Sequence, residues 1–381
     1  MTNALHPRAR TSVILAAIAA MVALLAFAPR ASAARDPIAG GTTDLHMKKG
    51  FLRKLGFDGI TVTGIRGGTV TGNKISLPVA SGMLDPTDVQ GHIEPRGGFK
   101  LSLGRRGVPI YGLSVNTVRG AVYATIAKAH MQLGTFATPK AAREGFGSNF
   151  KAPQLFLSEQ AVRRISNRLG LRGHERLNPN RVLSNVYSSA QPETVTVLPQ
   201  GTALLVPNKA TMTKFAVKGV KAPGGILPIA PATMPAPNAF SFPISGGSIS
   251  LEGGKGSVGT EGGVEIVKKS APISPTVKLK AIIVDFTTKA ATVELEILPN
   301  PPFPGATGRS SIADVSLPAG TVIANAATRQ VEIKNGELKL QAVAASTLNN
   351  VFNQPAPEPP PSSNFVVGDP LGLFSAILQA Q

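Results

Sequence analysis

Hydrophobic and polar residues alternate along much of this 381-residue chain. The alternation is clear over residues 74–79, 240–244 and 293–297, where every second side chain is apolar. A period of two places successive side chains on opposite faces of a β-sheet. Glycine pairs and an Asp-Pro turn separate these runs at the short intervals typical of β-sandwiches and of β-barrels. The pattern therefore predicts a mainly β chain.

Two stretches of the chain resemble each other. Residues 73–102 align with residues 238–267 without a gap, and seven of the 30 pairs are identical. The identical pairs are Asn73/Asn238, Ser76/Ser241, Pro78/Pro243, Gly82/Gly247, Gly91/Gly256, Gly97/Gly262 and Gly98/Gly263. Because glycine, proline and asparagine set the backbone geometry of turns, the repetition indicates a duplicated fold and not a duplicated set of reactive side chains.

The repetition predicts two tandem antiparallel β-sandwich-like domains, over residues 34–199 and 200–381. We expect one or two short helices in each domain, since apolar residues recur at helical spacing over 48–55, 158–169 and 342–352. Ser158 is suited to cap the second of these helices, and Gly170 is suited to end it. The apolar stretch 364–376 predicts a closing strand for the second domain.

The first 33 residues predict a signal peptide. Arg8 and Arg10 precede an apolar stretch over residues 12–27, and residues 31–33 (Ala-Ser-Ala) form a small-residue cleavage site. The alternative is an uncleaved membrane anchor, because the apolar stretch approaches the length that spans a bilayer. The absence of cysteine excludes disulfides and a lipid-modified cysteine. We predict an exported protein that is extracellular or associated with the cell envelope.

Positive charge is concentrated in the first predicted domain. Residues 34–190 carry 22 Lys and Arg against nine Asp and Glu, about +13, whereas residues 191–381 carry 14 against 12, about +2. The sequence predicts an anion-binding surface at a cluster in and after the second helix, formed by Arg163, Arg164, Arg168, Arg172 and Arg176. Its expected partner is an anionic cell-wall or membrane-surface polymer, and the alternative is an ordinary solvated helix face. Export, three tyrosines and no tryptophan disfavour nucleic acid as the partner.

No motif for catalysis or for a metal site is present. The chain lacks a G-x-S-x-G elbow, an H-E-x-x-H pair, a phosphate-binding loop and a cysteine nucleophile, so we predict that it is not an enzyme. Residues 254–259 spell G-x-G-x-x-G, but their continuation into a strand predicts a glycine-rich hairpin. His46, His92, His130 and His174 lie far apart in sequence, which predicts no metal site. Asp85 and Asp88 are expected to cap backbone amides in a turn.

Three motifs together resemble the secreted actinobacterial proteins with Htaa-type (haem-transport-associated) domains. The motifs are G-T-T-x-L before a short helix, [LF]-P-[VI]-x-[SG]-G, and G-x-[IV]-x-x-x-G-G-[FV]-x-[LI]. The resemblance covers about residues 40–200 and 200–381. The resemblance implies tandem β-rich domains at the cell envelope, with haem captured by a tyrosine near the first helix and a histidine near the glycine-rich turn. Here Phe51 lies on that helix, and residues 94–98 and 259–263 contain no histidine. We therefore transfer the architecture and not the haem site, although Tyr111, Tyr123 and His92 are available in the first domain.

Two functions follow from these observations. The first is a non-enzymatic binding or structural protein of the envelope, with no cofactor, that contacts an anionic polymer through its basic first domain. The alternative is a haem-binding protein of an iron-uptake system. The sequence leaves the ligand and the oligomeric state open.

Overall fold

The computed structural model describes residues 35–173, 176–179, 181–220, 225–237, 239–269, 274–298, 305–353 and 364–381. Arg35–Gln381 form one compact unit. The predicted signal peptide over residues 1–33 lies outside the described residues. Among the helices described, none has the length and apolar character needed to cross a membrane.

The first repeat, defined as residues 36–192, consists mostly of strands. Its elements are β1 (Asp36–Met47), α1 (Lys49–Phe57), β2 (Thr61–Ile65), β3 (Thr69–Thr71), β4 (Lys74–Leu84), β5 (Gly91–Pro95), β6 (Gly98–Leu103), β7 (Arg106–Asn116), β8 (Ala121–Ile126), β9 (Ala129–Thr135), β10 (Lys140–Glu144), β11 (Gly147–Leu157), α2 (Glu159–Leu169) and β12 (Val182–Pro192).

The second repeat, defined as residues 194–380, has the same succession of elements. They are β13 (Thr194–Pro207), α3 (Lys209–Val217), β14 (Ile226–Ile229), β15 (Thr233–Ala236), β16 (Ala239–Ser250), β17 (Gly256–Thr260), β18 (Gly263–Val267), β19 (Thr276–Asp285), β20 (Ala290–Ile297), β21 (Ala306–Ser316), β22 (Val322–Asn325), β23 (Gln330–Leu340), α4 (Ala342–Phe352) and β24 (Pro370–Ala380).

Each repeat forms one antiparallel sheet in which eight strands close into a ring. In the first sheet the ring order is β7-β5-β4-β1-β12-β11-β9-β8, and β8 pairs with β7. In the second it is β19-β17-β16-β13-β24-β23-β21-β20, and β20 pairs with β19. Every strand thus has its counterpart twelve strands later, which confirms the duplicated, mainly β and antiparallel fold. The chain passes from the first sheet to the second at Glu193. The predicted boundary between residues 199 and 200 falls inside β13. The division into two domains stays a prediction.

The alternating pattern places its apolar positions inside the closed sheets. Ile75, Leu77 and Val79 on β4 are buried, while the side chains between them face outward. Their counterparts on β16 are Phe240, Phe242 and Ile244, which are also buried. Each repeat therefore has its own apolar core.

Backbone contacts explain why glycine recurs at equivalent positions. Gly97 and Gly262 have positive φ angles of 93° and 78°. A Cβ atom at either position would lie 2.6 Å from a backbone nitrogen, that of Gly68 or of Ala232, which is closer than real Cβ contacts. Only glycine combines this φ with this approach, so the repeated residues are a requirement of the fold.

The helix α2 has the ends that its sequence predicts, whereas α1 extends two residues beyond its predicted range of 48–55. The Ala161 amide donates a 3.1 Å hydrogen bond to the Ser158 Oγ, which caps α2. Gly170 ends α2 in the left-handed conformation, with φ of 79°. α4 occupies the predicted range, and the closing strand β24 starts later than predicted, at Pro370.

The turn motifs also have structural roles. The Asp85 and Asp88 carboxylates accept hydrogen bonds from the amides of Thr87 and Gln90, at 2.7 and 2.9 Å. The last four residues of the G-x-G-x-x-G stretch lie in β17, which pairs with β16 as a hairpin.

A buried carboxyl links the two repeats. Asp36 at the start of β1 is 2% exposed, and its Oδ1 accepts hydrogen bonds from the Thr196 amide (3.0 Å) and the Thr196 hydroxyl (2.8 Å). Burial raises the pKa of Asp36, while these hydrogen bonds and the charge of Arg143 act in the opposite direction.

Candidate functional site

The second repeat contains a partly open apolar pocket of about 120 Å³. It lies between α3, α4 and the inner face of the closed sheet. Of its 22 lining residues, 19 are apolar and none is charged; the other three are Thr211, Ser310 and Thr347. Concave apolar sites with a few polar groups are where proteins usually bind small molecules. This pocket is therefore the strongest candidate for a ligand site in the described residues.

Smaller side chains at three positions account for part of the pocket. Thr211 on α3 stands where the first repeat has Phe51, which is 2% exposed in the core. By the strand pairing, Ala291 corresponds to Val122. At these two positions the first repeat thus has a ring and two methyl groups that the second repeat lacks.

A third exchange changes how a helix sits on the sheet. In the first repeat, α2 packs across β7, β8 and β9. Arg164 fixes it there by donating hydrogen bonds to the Ile126 and Ala127 carbonyl oxygens, at 2.9 and 3.0 Å. In the second repeat Thr347 replaces Arg164, and the main sheet contact of α4 is with β21. The short threonine side chain cannot form the anchor that closes the first repeat.

The difference in closure is visible in the burial of equivalent positions. Ile110, Ile126 and Leu133 on β7, β8 and β9 are at most 1% exposed. Their counterparts Leu279, Leu295 and Ile312 are only partly buried and line the pocket. An inward-facing stripe of three strands is therefore covered in the first repeat and accessible in the second.

Few polar atoms face the pocket. The Thr211 hydroxyl donates a 2.6 Å hydrogen bond to the Pro370 carbonyl oxygen, so its donor is already used. Met212 is the one lining residue with a sulfur atom, and no histidine or tyrosine occurs among the lining residues. The pocket can hold apolar groups by burial, and it offers no charged group for acid–base catalysis.

The predicted arginine cluster lies on and after α2, at the surface of the first repeat. Arg163 pairs with Glu159 at 2.8 Å, and both side chains are exposed. Arg163, Arg164 and Arg168 line an open groove beside Met131. Arg172 and Arg176 follow after α2, and both are exposed. Arg164 also has the internal role described above, and anion binding by the cluster stays a prediction.

The positions to which the family resemblance assigns an iron ligand are not suited to one. Phe51 is buried in the core, and the turns between β5 and β6 and between β17 and β18 contain no histidine. The available residues Tyr111 and Tyr123 pair with other side chains: Arg66 lies 3.7 Å from the Tyr111 ring centre, and His130 stacks on Tyr123 at 6.2 Å.

One tyrosine–histidine pair is not predicted by the sequence. The ring centres of His46 on β1 and Tyr187 on β12 are 4.6 Å apart. A hydrogen bond from Asn185 lowers the pKa of Tyr187, and Lys151 lowers it further. The two residues lie at opposite ends of the first repeat in the sequence. They become neighbours only because β1 pairs with β12. Among the described residues, no three His, Asp or Glu side chains are grouped as a metal site.

Comparison with known proteins gives similarities of structure only. No protein-family model and no curated protein matches this chain. The C-terminal domain of HtaA from Corynebacterium glutamicum is 14% identical, with 41% of this chain and 98% of that chain covered and a TM-score of 0.33. The N-terminal domain of the same protein is 15% identical, with 48% and 99% covered and a TM-score of 0.33.

A third similar structure is that of HtaB, described as a heme binding protein from the same organism. It is 16% identical, with 49% of this chain and 95% of that chain covered and a TM-score of 0.31. These matches confirm the predicted resemblance to Htaa-type domain proteins. At this identity and TM-score they assign no ligand and no binding residue to this chain.

Proposed function

We propose that this chain is an exported, non-enzymatic binding protein whose second repeat takes up the apolar part of a small molecule. The observation that carries the proposal is the partly open, uncharged pocket between α3, α4 and β19–β21. The first repeat, built on the same fold, is closed at the equivalent place. A closed copy beside an open copy supports a binding role for the open one, because the shared fold does not require the cavity.

The size and lining of the pocket favour a hydrocarbon or aromatic group as the occupant. An engineered apolar cavity of about 150 Å³ in another protein stays dry and binds benzene. The present pocket of about 120 Å³ is similar in size and has no charged lining residue. A ligand with a charged part would keep that part outside, since burying an unpaired charge is strongly unfavourable.

A fluorescent apolar probe tests this function. We expect N-phenyl-1-naphthylamine to bind residues 35–381 with increased fluorescence, and the variant Thr211→Phe to lose this binding. Thr213→Phe is the matched control, because it adds the same ring at an exposed position of the same helix. Equal probe binding by the wild type and Thr211→Phe would refute the assignment of the pocket.

Haem capture is the second candidate function. HtaB, a similar structure, is described as a heme binding protein. In this chain the observation that favours haem is the His46–Tyr187 pair, since a tyrosine with a lowered pKa can ligate ferric iron. Lys151, whose Nζ is 5.3 Å from the Tyr187 ring centre, could pair with a haem propionate.

Hemin titration separates the two candidates. Haem binding through this pair predicts a Soret shift that disappears in Tyr187→Phe and persists in Met212→Leu, which removes the only sulfur in the pocket lining. The reverse result would assign the iron ligand to Met212 and not to this pair. A wild-type chain that gives no Soret shift but binds the naphthylamine excludes haem and leaves the apolar ligand as the function.

A further inference from the structure

The topology of the first repeat brings both of its helices to one end of the closed sheet. β1 and β11 run in the same direction, because each pairs antiparallel with β12. α1 follows β1 and α2 follows β11, so both helices lie where these strands end. The turns between β6 and β7 and between β8 and β9 lie at this end as well, since Arg106 contacts Leu169 and Arg164 contacts Ala127. We call this region the helical end.

Exposed basic side chains converge on the helical end from separate parts of the chain. They are Lys49 and Arg53 of α1, Arg105 and Lys128 of the two turns, and Arg163 and Arg168 of α2. The sequence alone predicts only the arginines in and after α2. The fold adds four further cations to them, from segments that the sequence places about 30 to 120 residues away.

The acidic residues described at this end are already paired. Asp58 forms an ion pair with Lys54 at 3.0 Å, and Glu159 forms one with Arg163 at 2.8 Å. The helical end therefore has a clear excess of positive charge, which creates an attractive potential for an anionic partner within about 10 Å at 0.1 M salt.

An exposed aromatic residue distinguishes the kind of partner. Phe57 at the last turn of α1 is 83% exposed. It lies four residues after Arg53 and eight after Lys49, so the three residues form one stripe along the outer face of α1. A helix with cations and an exposed aromatic residue on one face is suited to the boundary between lipid headgroups and acyl chains. A purely ionic polymer would make no use of Phe57.

We infer that the helical end of the first repeat docks on the surface of a lipid bilayer that contains anionic phospholipids. The cations contact the headgroups, and the Phe57 ring inserts at the level of the acyl chain boundary. The inference is independent of the pocket, because it involves the other repeat and none of the pocket residues.

Vesicle sedimentation with residues 35–381 tests the inference. We expect binding to phosphatidylcholine vesicles that contain phosphatidylglycerol, weak binding to pure phosphatidylcholine, and release by salt. Arg53→Gln/Arg168→Gln should lower the partition coefficient by about 30-fold, because each basic residue near such a surface contributes about fivefold. Phe57→Ser should lower it by about tenfold through lost apolar burial.

The matched control removes two charges elsewhere. Arg119→Gln/Lys140→Gln alters exposed residues outside the helical end and should change binding by less than about threefold. An equal loss in both double variants would overturn the assignment of the surface. If the chain binds soluble polyphosphate as well as vesicles and Phe57→Ser changes neither, the lipid partner is wrong and the surface binds an anionic polymer.

Discussion

Filling the pocket should stabilise the protein while it abolishes ligand binding. Thr211→Phe introduces the residue that the first repeat has at the equivalent position, Phe51, so the scaffold accommodates the ring there. A stability gain accompanied by a loss of binding is expected when a cavity is retained for function and not for folding.

The structure gives the size of the expected gain. Cavities in protein cores cost about 24 cal/mol per Å³, so a pocket of about 120 Å³ corresponds to at most about 3 kcal/mol. The exchange also removes the hydrogen bond from Thr211 to the Pro370 carbonyl, which is a loss of about 1 kcal/mol. Because the pocket is partly open, we expect a net increase of about 1–2 kcal/mol in the free energy of unfolding.

Urea unfolding and thermal unfolding measure this gain. A stabilisation of 1 kcal/mol should raise the melting temperature by roughly 2–4 °C for a repeat of this size. Ala291→Val is a milder second variant, since the first repeat has Val122 at the equivalent position, and it should act in the same direction. A loss of about 1 kcal/mol or more in both variants, with unchanged naphthylamine binding, would show that the space is not a ligand pocket.

The reciprocal exchange supplies the internal comparison. Phe51→Thr removes a ring from the closed core of the first repeat and should cost about 3 kcal/mol or more, as large-to-small changes of buried Phe do. The same pair of residues would thus have opposite effects on stability in the two repeats. Losses of similar size from Thr211→Phe and Phe51→Thr would contradict the claim that one core is filled and the other is not.

Two further predictions concern the framework around these sites. Ser158→Ala should lower stability by about 1 kcal/mol in urea unfolding, because it removes the cap of α2, while Ser158→Thr should restore most of it. Asp36→Asn keeps an oxygen that accepts from Thr196 but cannot ionise. Burial raises the pKa of Asp36. The wild type should therefore lose stability relative to this variant as the pH rises from about 4 through that pKa. Parallel profiles of unfolding free energy against pH for the two proteins would disprove the effect.

Local features of the fold were accessible from the sequence because they depend on neighbouring residues. The range of α4 follows from helical spacing, and the end of α2 follows from Gly170. The start of β24 was predicted six residues too early, because Asn364 and Phe365 form other contacts. Asn364 accepts a hydrogen bond from Lys218, and the Phe365 amide donates to Asn349 at 2.9 Å, so this segment is fixed before the strand begins.

Features that depend on strand order were not accessible. An alternating pattern predicts which side chains share a face of the sheet. It does not predict that β7 pairs with β8 to close a ring. The pocket required the same information, since Thr211 precedes Ala291 and Ser310 by 80 residues or more, and only the folded chain brings them to one pocket. The His46–Tyr187 pair was missed for the same reason.

The two repeats differ at corresponding positions of the proposed pocket and of the basic surface. Met131 and Arg164 line an outer groove in the first repeat, whereas their counterparts Ser310 and Thr347 line the interior pocket of the second. The arginine therefore has two consequences: it closes the sheet by anchoring α2 and it adds charge to the outside. The second repeat lacks both, and its helix α4 carries no charged residue at all. A duplicated chain can therefore combine one copy that is closed by this arginine with a second copy that lacks it and keeps the proposed apolar site open.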